Sequence, residues 1–178
     1  MRVTHGKIHR RIPVPFEEHR HMADPRVTDE QVSDFRRFLT LLPRGQDLTL
    51  IILKGHLLIE EQVWKVISSR LKKPKALRDG RIESHQAICI AEAFCPEDDD
   101  LWQSAKKLNK IRNDIAHNVI PPAGLNDRID DFVDSVGWLD TTITERQDKF
   151  ELALWALFIA ISSLVKDTAT RERSDSSE

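Results

Sequence analysis

The sequence predicts an all-α protein, a bundle of five to seven helices, from three observations. Apolar residues recur at intervals of three and four through most of the chain. Helix-start signals precede several of these segments. Glycine and proline are scarce, six and eight in 178 residues, and fall mainly between the segments, whereas short-stranded sandwiches and barrels need turn residues more often.

Residues 1–26 are rich in Arg, His and Pro and lack helical periodicity, so they read as an extended or disordered arm. Thr28-Asp-Glu-Gln31 has the form of a capping box, and Val32, Phe35, Leu39 and Leu42 follow at helical spacing as far as Pro43. A long helix is expected from Asp47 to about Leu71, with Ile51, Ile52, Leu58, Ile59, Val63, Val66 and Ile67 apolar. Gly55 lies in its middle, where it costs ~1 kcal/mol against alanine, and close approach by another helix would compensate. Arg70 to Arg81 holds six basic residues around Pro74 and Gly80 and reads as a basic connector. A shorter helix from about Ile82 to Phe94 is stopped by Pro96. Proline and the carboxylates Asp98–Asp100 then open the next helix, as the positive end of its dipole favours, and it runs to about Asn118. Ile129, Phe132, Val133 and Val136 mark a short helix, and a last one spans roughly Thr142 to Lys166. The single bundle domain covers 27–168, and 169–178 form a disordered tail.

Composition narrows the function classes. A net charge of −2 and a pI near 6.4 exclude a bulk polycation, although a local basic face is compatible with them. Cys89 and Cys95 alone make neither a disulfide scaffold nor a zinc site. His5, His9, His19 and His21 lack cysteines or carboxylates at ligand spacing, so no metal is expected. The N-terminus lacks the apolar run of a signal peptide, and Phe150 to Val165 falls short of the ~20 residues that cross a bilayer. A cytoplasmic protein with no membrane partner and no cofactor is the expectation. Trp64, Trp102, Trp138 and Trp155 each sit in a helical apolar pattern, so core packing is their default role.

The chemistry concentrates in Leu101 to Asn118. At 100° per residue, Leu101, Ala105, Leu108, Ile111 and Ile115 make one apolar stripe. Beside it lies a second stripe of Asn109, Arg112, Asn113, Ala116 and His117. Solvated helix faces usually carry Glu and Lys, which form helix well; two asparagines, an arginine and a histidine sacrifice propensity. Such a stripe suits a partner surface or a phosphate, with arginine as a forked donor and histidine as a proton exchanger.

Arg112-Asn-Asp-Ile-Ala-His117 resembles the hallmark of the HEPN (higher eukaryotes and prokaryotes nucleotide-binding) family, and Leu53 to Glu61 resembles the long inner helix of such proteins. The resemblance covers roughly Asp47 to Asn118. It implies an up-and-down bundle that forms a homodimer, two Arg/His motifs along a cleft, and metal-independent endoribonuclease activity of a toxin or defence type. Arg112 and His117 would be catalytic, with Asn113, Asn109, His56 and Glu60 supporting them. Lys106 and Lys110, together with Lys72, Lys73 and Lys75 of the connector, would contact RNA. A partner protein, an antitoxin, would restrain the enzyme.

Each feature also has a structural explanation. Arg112 and His117 could satisfy carbonyls at a helix end. His56 and Glu60 could be an ordinary pair one turn apart. The basic connector could be a solvated loop. The alternative function is a non-catalytic helical module that binds a protein or nucleotide partner through the same polar stripe.

Overall fold

In the computed structural model the described residues are 28–120, 122–137 and 143–165. They form seven α-helices and no strand, so the expected all-α bundle is present. The helices are α1 (Asp29–Leu41), α2 (Leu48–Ser68), α3 (Pro74–Asp79), α4 (Ser84–Phe94), α5 (Asp99–Ala116), α6 (Leu125–Val136) and α7 (Arg146–Ser163). The N-terminal arm, Trp138 and the tail 169–178 lie outside the described residues.

α1 begins as its sequence dictates. Gln31 donates its backbone N–H to Thr28 Oγ1, and Thr28 returns its own N–H to Gln31 Oε1. The remaining donor of Gln31, Nε2, reaches the Ser162 carbonyl at 3.0 Å and ties this start to the end of α7. Phe38 of α1 packs on Phe158 of α7 with ring centroids 4.5 Å apart.

α2 is the inner helix. Ile51, Ile52, Leu58, Ile59, Val63, Val66 and Ile67 are buried, and it packs against α4, α5 and α7. The basic connector differs from expectation, because it contains a helical turn and a half, α3. Pro74 occupies its first turn, where a missing N–H costs nothing. Leu77 packs against the core and the Arg78 guanidinium lies 5.5 Å from the centre of the Trp64 ring. A basic run can therefore fold when one apolar residue turns toward the core and an exposed arginine lies over a tryptophan ring.

Pro96–Asp98 makes a 3₁₀ turn that leads into α5. Trp102 is fully buried, and its indole N–H donates to the Cys95 carbonyl at 2.9 Å, fixing the angle between α4 and α5. Trp64 is partly buried and Trp155 is 37% exposed, so of the three described tryptophans Trp102 alone meets the core-packing expectation in full. Among the described residues no helix is long and apolar enough to cross a membrane.

Gly55 is buried at the contact between α2 and α7. A Cβ there would stand 2.5 Å from Leu154 Cδ1, which is the close approach the sequence suggested. Gly55→Ala gains ~1 kcal/mol of helix propensity but sets a methyl against a packed leucine, which costs ~1–3 kcal/mol. We expect net destabilisation in chemical denaturation. Leu154→Ala alone opens a cavity and costs ~2–5 kcal/mol. The double variant should lose less than the sum of the two singles, since the new methyl fills space the leucine vacates. Additive losses would mean that the two residues do not meet.

Candidate functional site

α5 carries the motif residues because it has two different faces. Its apolar stripe is anchored by Ala105, Leu108 and Ile111, all buried, against α2, α4, α6 and α7. This fixes the azimuth of the polar stripe beside it. Asn109 falls at the margin, 4% exposed, and Arg112 and Asn113 are half-buried.

Opposite Asn109, α2 presents His56, which is 2% exposed among apolar neighbours. His56 Nε2 and Asn109 Oδ1 are 3.0 Å apart. A carbonyl oxygen only accepts, so the imidazole proton sits on Nε2 and is donated to it. Nδ1 is then a bare acceptor and has no hydrogen-bond partner. Glu60 Oε2 stands 4.0 Å from it, too far for a direct bond. A small cavity lies between them, lined also by Ser84 and Ala105, with a volume of about 10 Å³, room for about one water. The other oxygen of Glu60 accepts from the Ser84 hydroxyl at 2.6 Å, which joins α2 to the first turn of α4. Burial pushes the His56 imidazole below its ordinary pKa. The Glu60 carboxylate and the Asn109 bond oppose that shift, and the Arg112 charge adds to it.

Arg112 donates from Nη1 to Asn113 Oδ1 at 2.8 Å, leaving its other N–H groups available. His117 is the exposed C-cap of α5, its backbone N–H bound to the Asn113 carbonyl. Arg112 and His117 lie about 140° apart around the axis, with Ala116 between them. Ala116 and His117 are both exposed at this end of the helix. Val119 and Ile120 follow and are strongly exposed.

A shallow groove of about 440 Å³ runs between α4 and α5, past His85, Lys106, Asn109, Lys110 and Asn113. Lys106 is held by Glu92 at 2.7 Å, and Lys107 by Asp131 at 2.8 Å. Asp114, also on the groove, is taken by Arg128. Lys110 lines the groove without a carboxylate partner among the described residues. Lys72, Lys73 and Lys75 do not line it. The fold thus brings together His56, Glu60, Asn109, Arg112 and Asn113, with Lys106 and Lys110 alongside.

Sequence reasoning missed Ser84 and His85. His85 lines the groove and stands 3.8 Å from Cys89 Sγ one turn on, but nothing in the local pattern marks which way the first turn of α4 faces. Among the described residues no cluster of histidine, cysteine or carboxylates could hold a metal ion.

The depressed His56 pKa has a consequence for stability. The folded pKa lies below the unfolded value of about 6.5, so on acidification the unfolded chain takes up the proton first. Stability associated with neutral His56 is complete above about pH 6.5 and is lost as the pH falls below it. Thermal melts between pH 7.5 and 5 should therefore slope more steeply for wild type than for His56→Gln, which keeps a donor for Asn109 but does not titrate. Equal slopes would rule out a neutral buried His56. Compared with known proteins, the chain matches no family model, no curated protein and no solved structure.

Proposed function

We propose that this chain is a metal-independent endoribonuclease of the HEPN type that works as a homodimer. One observation carries the reading: a half-buried Arg112 and an exposed His117 flank the small Ala116 at the open end of α5, beside a groove rich in donors.

In the reaction the imidazole of His117 takes the proton of the RNA 2′-hydroxyl. The 2′-oxygen attacks the adjacent phosphorus and the bond to the 5′-oxygen breaks. The departing oxygen receives a proton from the second His117 of the dimer cleft. The products are a 2′,3′-cyclic phosphate and a 5′-hydroxyl end. The free N–H groups of Arg112 bind the phosphate and offset the charge that builds on its oxygens. DNA has no 2′-hydroxyl and is not cut. Val119 and Ile120, apolar and open beside His117, favour a site completed by a second copy. The toxin or defence role, and an antitoxin partner that covers the motif, follow from the family resemblance.

The test is incubation of purified wild type, His117→Ala and Arg112→Ala with total RNA and short defined RNAs in EDTA. Wild type should cut and leave cyclic phosphate ends. Either variant should lose at least ~100-fold in rate while keeping its fold and oligomeric state. No cleavage by wild type at high enzyme concentration would reject the nuclease and favour a binding module on the same surface.

A further inference from the structure

The two asparagines of α5 share an arrangement that the proposed reaction does not use. The amide oxygen of Asn113 faces Arg112 Nη1 at 2.8 Å. A guanidinium only donates, so the atom facing it is the oxygen and not the nitrogen. The amide oxygen of Asn109 faces His56 Nε2 at 3.0 Å. One oxygen is thereby engaged by α2 and the other by the neighbouring side chain on α5. Both –NH₂ groups are left without a hydrogen-bond partner among the described residues, although both side chains line the groove.

Asn109 itself is 96% withdrawn from solvent, since its exposure is 4%. Its nitrogen therefore has the groove as its one outlet to a partner. The asparagines are one helical turn apart, about 6 Å along the axis. Lys110 flanks them with an ammonium group that has no carboxylate partner among the described residues. The acidic groups nearby are occupied, Glu92 by Lys106 and Asp114 by Arg128. What the groove offers is a row of donors beside carboxylates that are already neutralised.

We infer that the groove between α4 and α5 binds the phosphodiester backbone of a single nucleic-acid strand through Asn109 Nδ2, Asn113 Nδ2 and Lys110 Nζ, with His56 and Arg112 as positioning residues that engage the two amide oxygens. This rests on the nuclease reading and deepens it, because it names how the strand is held beside the motif. Donors to phosphate oxygens carry no information about base or sugar. The groove therefore accepts RNA and DNA strands alike, and discrimination between them belongs to the chemical step alone.

The experiment measures binding to full-length protein by fluorescence anisotropy. The probes are a labelled 2′-O-methyl oligouridine, which cannot be cut, an oligothymidine of equal length, and inorganic phosphate as competitor. Wild type should bind the two strands within about threefold of each other, and affinity should fall steeply with salt. Asn113→Asp keeps an oxygen for Arg112, so the melting temperature should hold while the groove gains a carboxylate in place of a donor. Its affinity should drop at least tenfold, and Lys110→Ala should weaken binding without touching the core. Asn109→Asp would put a carboxylate on His56, and the imidazole resonances should then titrate at higher pH than in wild type.

Strand binding by Asn113→Asp and Lys110→Ala equal to wild type would overturn the inference. So would no measurable binding of either strand by wild type at low salt. Wild type that binds both strands but cleaves no RNA would defeat the nuclease reading and leave this one standing. Wild type that cleaves RNA while both variants bind normally would do the reverse.

Discussion

A single polar contact inside an apolar interface, His56 to Asn109, sets how α2 and α5 meet. Both groups are almost completely removed from water. Leaving either unpaired would cost the desolvation of a buried polar group, ~1–3 kcal/mol. Apolar side chains interchange along an interface with small penalties, but a donor and an acceptor must coincide. The bond therefore selects one register of α2 against α5 from several that would bury similar area. That register fixes the azimuth of α5 and so the direction in which Arg112, Asn113 and His117 leave the bundle.

The rest of the fold supports this contact from two sides. On one side Gly55, next to His56 in sequence, lets α7 come close through Leu154, which presses α2 into place. On the other, Ser84 binds Glu60 and anchors the first turn of α4 to the turn of α2 that follows His56. Trp102 then couples the far end of α4 to α5 through the Cys95 carbonyl. The groove is thus walled by helices whose relative positions are set by specific polar bonds as well as by packing.

Much of this was legible in the sequence, for identifiable reasons. The start of α1 follows from Thr28 and Gln31, because a capping box is a local device. The burial of most of α2 follows from its many apolar residues, and Gly55 marked the close neighbour without naming it. The polar stripe of α5 could be read because it breaks the usual composition of a helix face. What could not be read is long-range. Helical spacing on α4 does not say that Ser84 meets Glu60, 24 residues away. The charges of Lys106 and Lys107 were countable, but their neutralisation by Glu92 and Asp131 depends on how three helices pack. The sequence of 70–81 reads as a basic connector because its charge is evident, whereas the packing of Leu77 on the core and of Arg78 over Trp64 is tertiary. The RNA chemistry rests on the resemblance of two segments, Arg112 to His117 and Leu53 to Glu61, and not on their packing.

The two thiols of α4 and its end have different chemical accessibility. Cys95 is completely enclosed, beneath the carbonyl that receives the Trp102 indole, and a reagent would have to open the α4–α5 corner to reach it. Cys89 is half-exposed and lies one turn from His85, which borders the groove. A maleimide dye or a spin label added to the native chain will therefore attach at Cys89. The wild-type sequence carries its own handle for a reporter at the rim of the groove, and no engineered cysteine is needed to observe what enters it.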